Sequence, residues 1–294
     1  MSDPIDAALA ASLVAEQFPQ WAGLPVTPVV PGGNDNRTFR LGGELTVRLP
    51  SADGYVAGEL KEHAWLGRLA PALSLPIPVV EGAGMPSATF PRPWSIRRWI
   101  PGETADPARI RDPERFAEDL AAFLIELRSA DAAGGPAAGD QSFHRGAGLA
   151  HYDAQAREGI AAVREEYDPA VLSAIWDRAL ASRWTHPPVW FHGDVASGNL
   201  LVDERGDLSA VIDFGTSGVG DPACDTVIGW TLFRGRARVR FRDTLGLDDD
   251  TWDRGRGWAL WKAAITIMWQ RESQPTLADE ARAVIDQLLK EVGR

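Results

Sequence analysis

The chain has 294 residues, 45% of them hydrophobic and 24% charged, a balance that excludes intrinsic disorder and leaves room for one large domain or two lobes. Acidic residues outnumber basic ones 41 to 30, for a net charge of -11, so the surface repels phosphate backbones and nucleic acid is excluded as an expected partner. Cys224 is the only cysteine, which excludes an intrachain disulfide and a cysteine-based zinc site.

In chain order, residues 4–17 read as a helix with apolar positions at Ile5, Leu9, Leu13 and Val14. Two strands follow, Asn36–Leu41 and Glu44–Leu49, joined by the turn Gly42-Gly43. A helix carrying Leu60, Ala64 and Leu66 comes next, then strands over Pro76–Val80 and Trp94–Ile100, closed by Pro101-Gly102. From there the pattern turns helical. Phe116, Leu120, Phe123, Leu124 and Leu127 recur at helical spacing after the start signal Asp112-Pro113. Residues 132–140 form a Gly- and Ala-rich loop, and further helices are expected over 153–166, 170–182, 222–233, 252–271 and 277–291. Two short apolar pieces, Val189–Phe191 and Leu208–Ile212, interrupt them. The order gives an α+β chain with a β-rich first lobe over 1–101 and a mainly helical second lobe over 102–294. No apolar run is long enough to cross a bilayer, and the N-terminus lacks a basic stretch followed by an apolar core, so a cytoplasmic protein with no membrane partner is expected.

The chemistry concentrates between Phe191 and Asp225. His192-Gly193-Asp194 is followed five residues after the aspartate by Asn199, and Asp213-Phe214-Gly215 ends an apolar strand. Phosphoryl transfer asks little covalent help of a protein, but it needs metal to neutralise phosphates and a group to orient the attacking hydroxyl. Asp194 suits the second task as base. The amide oxygen of Asn199 and the carboxylate of Asp213 form an oxygen donor set suited to Mg2+.

These residues resemble the aminoglycoside phosphotransferase family, whose pattern is HGDxxxxN followed by an Ile-Asp and a GDPxxD stretch. Here it is supplied by His192-Gly-Asp194, Asn199, Ile212-Asp213, Gly220-Asp221-Pro222 and Asp225. The resemblance implies a two-lobed, protein-kinase-like fold and transfer of the γ-phosphate of ATP or GTP to a hydroxyl. It also implies a phosphate-covering loop at Gly33 and Asn34 and a phosphate-binding cation on the second hairpin strand. Kinases carry lysine there; this chain has Arg48, expected to pair with Glu62 or, one turn earlier, Glu59. Main-chain groups of Arg98 and Ile100 are implied to meet the purine. An aminoglycoside-type antibiotic is the first expected acceptor, a cationic one in keeping with the net charge. Macrolide, sugar, choline and homoserine kinases share the family, and a catalytically silent nucleotide-binding regulator is a further alternative because the usual lysine is missing. Oligomeric state is not legible.

The remaining features have plainer expectations. His192 shapes its loop through backbone hydrogen bonds, and Asp221 caps a helix. Asp225 is open between a structural and a chemical role. Asp203 and Asp207 are turn residues, His144 and His151 lie on the surface, and Cys224 is a buried filler. Of the twelve tryptophans, those at 252, 258, 261 and 269 are core packing first and a ligand rim second. The run Asp248-Asp249-Asp250 either attracts an ammonium group or leads into a helix.

Overall fold

The computed structural model describes residues 5–30, 32–33 and 35–293. Asn34 lies outside them. The chain divides into two compact units: one comprises 1–103 together with 209–215, the other 104–208 together with 216–294. The return of 209–215 to the first unit gives that unit the Asp213-Phe214-Gly215 segment.

The first unit opens with helix α1 (Ala7–Gln17), which Asp6 caps by accepting from the Leu9 amide at 2.9 Å. Strands β1 (Val26–Pro28), β2 (Asn36–Leu41) and β3 (Leu45–Pro50) follow, then α2 (Val56–Leu69), β4 (Val80–Gly84) and β5 (Trp94–Arg98). The five strands form one antiparallel sheet in the order β1-β2-β3-β5-β4. Alternation along β3 sends Val47 and Leu49 into a core with Leu13, Val14, Phe39, Trp94 and Ile96, and therefore turns Arg48 to the other face.

The strand expected over Pro76–Val80 starts only at Val80, because Pro76 and Pro78 have no amide to offer a ladder. The strand expected over Trp94–Ile100 ends at Arg98.

The two-residue strand β6 (Glu103–Thr104) marks the change of unit. The second unit then carries α3 (Pro113–Ser129), α4 (Asp153–Ala162), α5 (Pro169–Ala181) and strands β7 (Val189–Phe191) and β8 (Leu200–Val202). Strand β9 (Leu208–Val211) leads to Asp213, and β10 (Gly218–Gly220) pairs antiparallel with β7. Helices α6 (Ile228–Thr231), α7 (Gly235–Leu245), α8 (Asp249–Gln270) and α9 (Pro275–Val292) complete the chain. Helix α8 is the hub, packed by α4, α5 and α9, while α3 packs on α7. Buried Trp176, Trp190, Trp230 and Trp252 fill this unit.

The helix expected over 222–233 is instead a 3-10 segment, Pro222–Val227, followed by the single turn of α6. Helix α7 was not expected, since its sequence GRARVRFRDTL is mostly arginine and polar. Its buried residues are Ala237, Phe241 and Leu245, spaced by four, while Val239 points outward; this is a narrow stripe easily lost among charges. Among the described residues no helix is long and apolar enough to cross a membrane.

Candidate active site

In the first unit the site grows from Arg48. Its Nη1 donates to Glu62 Oε1 and Oε2 at 3.0 and 2.8 Å, and its Nη2 donates to Asp213 Oδ1 at 3.0 Å. Asn36 lies against the same guanidinium; in the amide orientation that satisfies both groups, its oxygen accepts from Nη2 and Nε at 2.7 and 3.0 Å. Glu62 is further held by the Phe214 amide at 3.1 Å and by Arg97 Nη2 at 3.1 Å. The partner of Arg48 left open between two glutamates is therefore Glu62. Glu59 comes no nearer than 3.9 Å and belongs to Arg97 at 2.8 Å and His63 at 2.9 Å. Burial opposes charge on Arg48, but Glu62, Asp213 and Glu59 outweigh it and leave the guanidinium held more firmly protonated than usual. Burial likewise works to raise Glu59, yet Arg97 and the groups around it bring it well below the usual carboxylate range.

Asp213 sits at φ +64°, a left-handed conformation costly for a residue with a side chain. The contacts on either side hold it there: Arg48 on the carboxylate, Glu62 on the next amide, and Lys61 Nζ donating to the Gly215 carbonyl at 2.7 Å. Burial pushes the Lys61 ammonium down to about 8, against the opposing pull of Glu62 and Asp213.

In the second unit, β7 delivers the chain to His192. The carboxylate of Asp225 receives two consecutive amides, His192 N–H on Oδ2 at 2.8 Å and Gly193 N–H on Oδ1 at 2.7 Å. His192 is fully buried, its Nδ1 faces the Asp194 amide at 3.3 Å, and its carbonyl accepts from Thr216 Oγ1 at 3.0 Å. Gly193 is at φ +86°, and a Cβ there would lie 2.7 Å from the Thr216 carbonyl oxygen, so only glycine fits. Asp194, with its side chain 38% exposed, is thereby presented at the end of a tightly anchored loop. Asn199 Nδ2 donates to the Asp194 carbonyl at 2.9 Å and to its Oδ2 at 3.1 Å. Lys262 Nζ, on α8, stands 3.7 Å from Asp194 Oδ1.

The remaining aspartates of the motif are structural. Asp221 caps the 3-10 segment through the Ala223 amide at 3.0 Å and takes Arg254 Nε at 2.6 Å. Burial raises Asp221 and Asp225 above the usual carboxylate range, although Arg254 in the first case and His192 with the two loop amides in the second pull the other way. Cys224 is buried and its thiol is pushed up by that burial, which disqualifies it as a nucleophile.

A family model described as the phosphotransferase enzyme family matches residues 27–258. The chain belongs to that phosphotransferase family. Among solved structures it is similar to an aminoglycoside 2''-phosphotransferase in complex with GDP and kanamycin, with TM-score 0.71 and 20% identity, covering 95% of this chain and 98% of that one. A second aminoglycoside phosphotransferase, bound to ADP, gives TM-score 0.61 at 18% identity over 96% and 98% of the two chains. Macrolide 2'-phosphotransferase type I gives 0.63 at 19% over 94% and 95%. The kinase-like two-lobed fold expected from the motif is shared with these neighbours. No curated protein sequence matches the chain.

The donor chemistry of the phosphotransferase fits a hard cation. Both amide protons of Asn199 are spent on Asp194, which leaves its oxygen to offer, and the carboxylate of Asp213 is 43% exposed in the first unit. Among the described residues no group of three or more His, Cys, Asp and Glu gathers as a metal site. Of the residues implied for nucleotide, Gly33 is exposed and its carbonyl accepts from Arg37 at 2.7 Å. Arg98 uses its amide on the Val79 carbonyl at 3.3 Å and its side chain on Glu81 at 3.0 Å. Ile100 is half-buried, outside any strand.

Two residues escaped the sequence reading, Asn36 and Lys262. Asn36 carries no signal beyond opening a strand. Lys262 had one, as one of three lysines among 30 basic residues.

Proposed function

We propose that this phosphotransferase moves the γ-phosphate of ATP or GTP to a hydroxyl of a small molecule, with Asp194 as base. The acceptor oxygen bonds to the γ-phosphorus while the bond to the β–γ bridging oxygen breaks, releasing the nucleoside diphosphate. The hydroxyl proton passes to an Asp194 carboxylate oxygen. The observation that carries this reading is the anchoring of the loop. Asp225 fixes two consecutive amides, Gly193 allows the turn, and Asn199 holds both the main chain and the carboxylate of Asp194. Catalysis by positioning needs such rigidity.

The first unit is read as the nucleotide-binding lobe and the second as the catalytic and acceptor lobe. Arg48, paired with Glu62, takes the place of the usual lysine and keeps Asp213 in its left-handed conformation. Gly33, Asn34, Arg98 and Ile100 are proposed to line the nucleotide. Asn199 and Asp213 would hold Mg2+, which when bound neutralises the phosphates.

Neighbours that bind an aminoglycoside or act on a macrolide make these antibiotics the first acceptors to assay, with kanamycin at the head. A second reading, a kinase of another class of hydroxyl compound, is favoured by one observation, the ammonium of Lys262 beside Asp194. The test is nucleoside diphosphate release from MgATP and MgGTP across aminoglycosides, macrolides, sugars and hydroxy acids. Acceptor-stimulated release that Asp194→Asn abolishes supports the reading; stimulation that survives Asp194→Asn removes it.

A further inference from the structure

Lys262, like Arg48 and Arg254, is a cationic group beside a motif aspartate, and unlike them it is not consumed by its neighbours. Its Nζ approaches Asp194 Oδ1 at 3.7 Å, beyond hydrogen-bonding reach, and among the described residues it makes no hydrogen bond. The orientation of Asp194 is set elsewhere, by Asn199 at 2.9 and 3.1 Å. Half-exposed ion pairs at such a distance hold structures together weakly. A side chain 55% exposed therefore holds its ammonium 3.7 Å from the proposed base without being spent on it.

The helix around Lys262 favours the same sign of partner. From Arg254 to Gln270, α8 contains no carboxylate. Of the acidic residues at its start, the part of the sequence that invited a cationic acceptor, Asp248, Asp249 and Asp253 are engaged structurally, while Asp250 is exposed. Asp248 caps the helix through the Thr251 amide at 2.7 Å. Asp249 takes Arg242 at 2.7 Å, and Asp253 takes Arg178 at 2.6 Å and Arg256 at 2.5 Å. Four and seven residues beyond Lys262 lie Thr266 and Trp269, one stripe of the same helix. Trp269 is 56% exposed, whereas Trp252, Trp258 and Trp261 are buried. Lys262 and Trp269 are thus both exposed on one stripe of the helix.

Resting on the phosphotransfer reading above, we infer that the acceptor carries an acidic group close to the hydroxyl it presents to Asp194, and that Lys262 binds that group. A hydroxy acid, a sugar acid or a phosphorylated polyol has this chemistry. A polycationic aminoglycoside does not, and would bring like charge against Lys262. Lys262 is thus a specificity residue: it touches the substrate and takes no part in proton transfer.

The experiment uses matched acceptors that differ only in the acid: gluconate against gluconamide, galacturonate against galacturonamide, glycerate against glyceramide, with kanamycin as the cationic arm. Diphosphate release from MgATP and MgGTP is measured for wild type, Lys262→Met and Lys262→Glu, with nucleotide binding measured on the same preparations. The expected result is turnover of an acid and not of kanamycin. Lys262→Met should raise KM for that acid about ten- to a hundredfold, as for a lost hydrogen bond to a charged group, with kcat little changed. It should also erase the preference over the matched amide, and Lys262→Glu should reverse it. The same acid-to-amide KM ratio in wild type and Lys262→Met overturns the inference. Turnover confined to kanamycin or to neutral members overturns it too, and leaves phosphotransfer standing. No turnover of any acid, with MgATP or MgGTP still bound, overturns the acid assignment alone; failure to bind either nucleotide overturns both.

Discussion

Arg48 Nη2 and Asp213 Oδ1 are 3.0 Å apart, 165 residues distant in sequence, while the same guanidinium grips Glu62 with two bonds. A lysine ammonium is a point charge on a flexible stem and could not present that planar fork to a glutamate and an aspartate at once. Arg48 therefore does more than carry charge. It ties helix α2, strand β3 and the Asp213 segment into one unit.

Removing that tie should be costly. Arg48→Met leaves Glu62 and Glu59 buried with too little positive charge, and should destabilise the first unit by about 3–5 kcal/mol. Thermal or denaturant unfolding checks the magnitude. Arg48→Lys restores charge without the fork and should recover only part of the loss.

Asp225 acts on the loop through two amides. Asp225→Asn replaces one accepting oxygen with an NH2 group facing a donor, so His192 or Gly193 loses its partner. Loosening Asp194 in this way should lower kcat by about a hundredfold, the scale of a misplacement of one ångström, while the Kd for MgATP or MgGTP stays near that of wild type. Steady-state kinetics with a nucleotide titration separates the two.

Gly193→Ala places a methyl group 2.7 Å from the Thr216 carbonyl at a φ of +86°. Strain of this kind costs about 1–3 kcal/mol. The variant should show a lowered Tm together with a reduced kcat.

Lys61 gives a dependence on pH. Burial holds its folded-state value at about 8, below the ordinary lysine value of about 10.4. Between those values the unfolded chain binds the proton and the folded chain does not, so stability rises with pH through that window. Relative to Lys61→Met, wild type should gain stability as pH climbs from about 8 to about 10.4, with a slope of at most about 1.4 kcal/mol per pH unit. Unfolding midpoints of the two proteins across that range decide it.

The run from His192 to Asp225 was legible as a family motif because its residues recur at fixed spacings, and the family model over residues 27–258 bears that reading out. The hairpin of β2 and β3 was legible because alternation and a Gly-Gly turn leave few other folds. What the sequence hid follows from partnership. Nothing in local pattern shows that Glu62 rather than Glu59 meets Arg48, since one helical turn separates them and Arg97, on another strand, takes the loser. Helix α7 hid because only three apolar residues face inward from an arginine-rich surface. Lys262 hid because 68 residues separate it from Asp194. The acidic run at 248–250 invited a cationic ligand, and its first two residues are taken by the Thr251 amide and Arg242.

Proton transfer from an acceptor hydroxyl to Asp194 is the step on which the proposed function rests. The direct measurement is transfer by Asp194→Asn, nearly isosteric and unable to accept a proton as a base, under saturating nucleotide. The account predicts a kcat lower by about a hundred- to ten-thousandfold, with the Kd for MgATP or MgGTP near that of wild type. A variant that keeps most of its kcat would contradict it.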